Sequence, residues 1–130
     1  MFRKTLLNTA ITCLGFMAVV TNVSYAQSQS DMNQSADADY KKADAALNKT
    51  YQNVLKKLDA SGKADLKAAQ NAWIKYRDLD CKFQSAGSAG GSIHSMVVAG
   101  CLTDKTEARS KELDSLLHCQ EGDVSCVIKE

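Results

Sequence analysis

The chain's five cysteines, its two histidines and a run of glycine and serine are the residues whose types and spacing bear on chemistry. Cys81, Cys101, Cys119 and Cys126 lie in the C-terminal half and Cys13 near the start. None forms a Cys-x-x-Cys pair, so neither thiol–disulfide exchange nor a structural zinc site is expected. His94 and His118 stand singly, without the spacing of metal ligands, and no Gly-x-Ser-x-Gly or His-Glu-x-x-His occurs. Asp78 and Asp80 are two positions apart and do not share a helical face cleanly, which argues against paired-carboxylate chemistry. Ser88 and Ser92 have no obvious base, and the run from Gly87 to Ser92 lacks the Lys-Ser/Thr ending of a phosphate loop. No catalytic residue, cofactor site or metal site is expected, and the chain reads as a non-enzyme.

The cysteines take their meaning from the compartment. Arg3 and Lys4 precede an uncharged, mostly apolar run, Leu6 to Val20, and Ser24-Tyr25-Ala26 offers small residues where a signal peptidase reads. Residues 1–26 are therefore expected to be a secretory leader cleaved after Ala26. The run is short for a membrane span and is diluted by Asn8, Thr9 and Thr12. Cys13 leaves with the leader. The mature chain, Gln27 to Glu130, keeps 14 basic and 15 acidic side chains once Arg3 and Lys4 are removed, a net charge of −1. That balance supports neither nucleic-acid nor anionic-membrane binding. Four cysteines in an exported chain, periplasmic or secreted, read as two disulfides.

Three helices must position these residues. Ala36, Tyr40, Ala43, Leu47, Tyr51, Val54 and Leu58 recur at steps of four and three, one apolar stripe on a helix capped by Asp31 and stopped at Ser61-Gly62. A second helix runs from about Lys63 to Phe83, with Leu66, Ala69, Trp73, Tyr76 and Phe83 inward. Ser85 to Ser92, with three glycines among small residues, is expected to be a flexible loop. Ser92 then caps a third helix from about Ile93 to Leu117, carrying Leu102, Thr106, Arg109, Leu113 and Leu116, with Gly100 as a weak point. The fold class is all-α, an antiparallel three-helix bundle spanning 27–118, followed by a cysteine-containing tail, 119–130. A hairpin through the glycine-rich loop brings Cys81 beside Cys101, and six residues separate Cys119 from Cys126. Those pairings are expected, though four cysteines permit three connectivities. Within Trp73-Ile-Lys-Tyr-Arg-Asp78, a core anchor with a satisfied Arg77 is favoured over a ligand cluster, and Arg109 is read the same way.

Met32-Asn33, Tyr40-Lys-Lys-Ala-Asp44, Leu47-Asn48, Tyr51, Gln70, Trp73, Tyr76, Arg77, Asp78, Cys81, Gly91-Ser92, Cys101, Thr106 and Arg109 together resemble the DUF1311 family, the lysozyme-inhibitor LprI-like N-terminal domain. The resemblance covers about Asp31 to Leu117. It implies a helical envelope protein and, for the family's namesake, inhibition of lysozyme. Members commonly carry a cysteine after the Met-Asn pair; here Ser35 stands there, and no cysteine occurs from Gln27 to Ser35. The implied partner is a lysozyme-type muramidase, commonly basic with an acidic cleft, which an inhibitor meets with acidic surface for steering and a protruding loop for plugging. Gly87, Ser88, Gly90, Gly91 and Ser92 are one candidate partner-binding segment, and Glu121 and Asp123 of the tail are the other. The alternatives are an envelope structural or stress-related interaction module and an immunity-type protein against another wall-cleaving toxin.

Overall fold

The computed structural model describes residues 20–128 apart from 121, with side chains from 28 onward. Residues 1–19, with Cys13 and most of the expected leader, lie outside the described residues, as does Glu121. The apolar stripe of the first helix forms as its spacing requires. In α1 (Val20–Lys57) and just beyond it, Ala43, Leu47, Val54 and Leu58 are buried, and Ala36, Tyr40 and Tyr51 half-buried. A sharp turn at Leu58-Asp59 leads into α2 (Ala60–Gln84), and α3 (His94–Ser115) follows the glycine-rich segment. Among the described residues there is no strand. The result is an all-α three-helix bundle with two disulfides.

Contacts across the bundle fix its directions. Asn33 meets Ser92 and Thr50 meets Ser110, so α1 and α3 run parallel. Gln70 meets Arg109 and Arg77 meets Thr106, so α2 runs antiparallel to α3 and therefore to α1. The closest pairing is α1 with α3, whose facing residues are small: Ala43 and Ala99 are buried, and Thr50 Oγ1 lies 3.3 Å from Ser110 Oγ. The main apolar cluster, Leu47, Val54, Leu58 and Leu113, sits toward the α1–α2 turn. Tyr51, Leu66, Trp73 and Ile128 pack around it, so the tail folds back onto the core.

Several sequence expectations change. Asp31 lies inside α1, which begins eleven residues earlier, at Val20, and Ser61-Gly62 starts α2 instead of ending α1. The capping carboxylate is Asp59, whose Oδ1 accepts the Gly62 N–H at 2.8 Å. On α2 the inward face is Leu66, Gln70, Trp73, Arg77 and Cys81, whereas Ala69, Tyr76 and Phe83 are exposed. Long polar side chains took core positions that an apolar count assigns to rings. Ser92 does not cap α3; Ile93 holds that position without a side-chain bond, and the helix runs through Gly100 uninterrupted. The segment expected to be flexible is a hydrogen-bonded 3₁₀ turn, Ala86–Ser88, with Gly90 at φ 80° where a side chain would be strained.

Cys81 and Cys101 are bonded across α2 and α3 with 5.6 Å between Cα atoms, and Cys119 pairs with Cys126 at 5.9 Å. The first closes a loop of 20 residues near the end of the bundle farthest from the apolar cluster. Replacing both with serine (C81S/C101S) should lower unfolding free energy by about 3 kcal/mol, measured by urea denaturation. An unchanged midpoint would show that the helices hold without the clamp.

Candidate functional site

Trp73, Arg77, Asp78 and Arg109 converge where the three helices meet. Arg77, only 5% exposed, is held from every side. Its Nε and Nη2 each donate to Asp78 Oδ1 at 2.9 Å, and Nη1 donates to Thr106 Oγ1 at 3.2 Å and lies 3.7 Å from Asp44 Oδ1. Asn48 is exposed, yet its amide donates to the other Asp44 oxygen at 3.1 Å and so orients that carboxylate. The guanidinium also stacks on two rings, 5.2 Å from the Trp73 centroid and 5.5 Å from that of Tyr40. Arg109 covers Trp73 at 5.8 Å, donates from Nε to Gln70 Oε1 at 3.1 Å, and pairs with Glu112. One indole therefore has a guanidinium contact from α2 and another from α3, a geometry that suits arginine and not lysine. Leu47 and Tyr51 belong to the apolar cluster beside this brace.

Tyr76 faces outward and belongs to a second, smaller link. Lys105 Nζ lies 5.3 Å from its ring centroid and 2.6 Å from Asp80 Oδ2, which also accepts from Gln84. The hydrogen bond from Lys105 holds the Asp80 carboxyl below its ordinary value of 3.8, and the Asp80 partner raises Lys105 above 10.5. Burial raises the Tyr40 phenol above 10.0, against the opposing pull of Arg77.

Beside the brace an open groove of about 570 Å³ is lined by Tyr40, Arg77, Cys81, His94, Val98 and Leu102 among others. At its loop end Ser88 Oγ donates to Ser85 O at 2.8 Å and lies 2.9 Å from His94 Nδ1. These two short contacts hold the loop end against the start of α3. Asn33 Nδ2 donates to Ser92 O at 3.0 Å and ties the loop to α1. Of the candidate partner-binding residues, Gly87, Gly90, Gly91 and Ser92 are exposed and Ser88 is half-buried. Asp123 is exposed in the tail, its Oδ1 accepting from Ser125 N and Oγ at 2.8 and 2.6 Å. Those bonds hold its carboxyl below 3.8. The structure thus gathers Trp73, Arg77, Asp78 and Arg109 into one brace, sets Leu47 and Tyr51 beside it and Tyr76 outside it, and leaves the two candidate segments at opposite ends of α3. Sequence reasoning gave Tyr40, Asp44, Gln70 and Thr106 no role in the brace; polar side chains at helix positions in step with the apolar stripe were the available signal.

Removing the Arg77 cation strands the Thr106 hydroxyl, which is fully buried. R77M should cost about 2 kcal/mol of stability, and R77K should recover little of it, read by thermal unfolding. Full recovery by lysine would show that charge alone matters. Asp80 binds its proton less tightly when folded, so its stabilising effect is present above the ordinary value of 3.8 and is lost as pH falls through the lower folded value. D80N should remove that part of the acid limb in a stability-versus-pH titration; superimposable profiles would discount the Lys105 link.

Among the described residues no group of three potential metal ligands occurs, and no helix is long and apolar enough to cross a membrane. The two disulfides suit an extracytoplasmic protein. A family model described as "Lysozyme inhibitor LprI" matches residues 21–113. "Uncharacterized protein R02472" of Rhizobium meliloti (strain 1021) is 41% identical over 110 residues, which is 75% of this chain and 79% of that protein. No solved structure matches. With the family model spanning the three-helix brace and the Cys81–Cys101 clamp, this chain belongs to the LprI lysozyme-inhibitor family.

Proposed function

We propose that this chain, exported on a leader cleaved after Ala26, acts in the periplasm or outside the cell by binding and inhibiting a lysozyme-type muramidase. The observation that carries this reading is the family match across residues 21–113. Physical support comes from the brace, which fixes three helices so that little conformational entropy is lost on binding. Muramidases cleave between two carboxyl groups, and blocking that cleft suffices for inhibition.

The two candidate segments have different roles in this reading. α3 has 22 residues and is about 33 Å long, so one cleft engages one end of it. The loop Gly87–Ser92 is the plug: its exposed glycines permit close backbone approach, and Asn33 anchors it. The tail, closed by Cys119–Cys126 and carrying Asp123, is the steering element toward a basic enzyme. Glu121 adds charge there by sequence.

Titrating the oxidised mature protein into a muramidase should abolish cell-wall clearing at a fixed stoichiometry. In the same assay D123K should slow association at low salt and leave the plateau unchanged. No loss of clearing at saturating protein would overturn the reading.

A further inference from the structure

Under the reading above, we infer that the outer face of α2, the ridge Tyr76–Leu79–Phe83 with Lys75 and Lys82 along one flank, is the surface that grips the muramidase cleft. It deepens that reading and rests on it. Tyr76, Leu79 and Phe83 are 58%, 57% and 79% exposed, and their steps of three and four put them on one helical face. Ala72, also exposed, continues the line one turn back. The core-facing side of the same helix is a different set, Leu66, Gln70, Trp73, Arg77 and Cys81, so α2 carries two faces and the bundle uses one. Single exposed apolar residues are ordinary, but three large ones in two turns form a patch of the kind that marks a partner site.

Charge indicates what covers it. On one flank Asp80 is neutralised by Lys105, which also lies against the Tyr76 ring. On the other flank Lys75 and Lys82 are exposed, and neither forms an ion pair among the described residues. The ridge is therefore apolar with a free positive edge, and it complements an apolar cleft carrying carboxylates. A muramidase cleft has two such carboxyl groups flanking the scissile bond. The ridge is continuous with the plug, because Phe83 lies one residue before the end of α2 and the loop begins at Ser85. A second copy fits less well. Antiparallel two-fold pairing sets the Lys75–Lys82 edge against its own copy, and parallel pairing sets it against the flank where Lys105 already neutralises Asp80.

The test uses the full mature protein with L79A/F83A and K75E/K82E, and K49E as a surface control. All four substituted ridge and flank positions are exposed, so circular dichroism and thermal unfolding should match the wild type. L79A/F83A should weaken inhibition by about tenfold or more, as loss of an aromatic anchor does. K75E/K82E should weaken it chiefly at low salt, and K49E should leave it unchanged. If the wild type inhibits and both ridge variants inhibit equally well, this inference falls and the proposed function stands. If the wild type fails to inhibit, both fall. Sedimentation with phosphatidylglycerol vesicles, or a dimer in solution, that L79A/F83A abolishes while inhibition is unchanged would also overturn it and assign the ridge to that surface instead.

Discussion

The guanidinium of Arg77 occupies the point where α1, α2 and α3 meet, and the arrangement of the bundle around that point follows from its needs. A buried cation must be paired and hydrogen-bonded, or it costs far more than the fold has to spare. Here the partners come from every helix: Tyr40 and Asp44, Trp73 and Asp78, and Thr106. Register is thereby constrained, because shifting any helix by one turn removes a partner. Among the described residues no buried side-chain polar atom lacks a hydrogen bond.

That polar centre divides the bundle into two regions held by different forces. Toward the α1–α2 turn, Leu47, Val54, Leu58 and Leu113 form an ordinary apolar cluster. Toward the glycine-rich loop the interior is thinner and opens into the groove along Tyr40, Val98 and Leu102. The Cys81–Cys101 bond lies in this second region, where covalent closure substitutes for apolar area that a chain of this size does not bury. Small residues between α1 and α3 allow their close approach, which leaves α2 as the outer member with one face free.

How far the sequence showed all this depended on the kind of interaction. The stripe from Ala36 to Leu58 was fully legible, since apolar residues at helical spacing have one favourable orientation. Both disulfide pairings followed from spacing and the hairpin, although crossed connectivities stayed open. On α2 apolar spacing points Ala69, Tyr76 and Phe83 inward, whereas the buried positions are held by Gln70 and Arg77, which an apolar pattern does not mark. The partners that make Arg77 tolerable inside, such as Thr106, are distant in sequence, as is the Asn33 amide that holds Ser92 O. The loop's order comes from that tether and from Ser88, which composition alone does not reveal.

The outward position of Tyr76 and Phe83 is informative for a physical reason. A helix that buries Arg77 and leaves Phe83 79% exposed has exchanged the usual positions of charge and ring. Folding alone gives no reason for the exchange on the outer side: Phe83 contributes little to the core, and an exposed aromatic raises the risk of association. The inner exchange has an evident return in the register that Arg77 imposes. The outer one finds a return only when something covers it, as the proposed contact of the α2 ridge would. Rigidity and recognition then share one cause, since the arginine that fixes α2 from within also fixes the direction in which its outer ridge points.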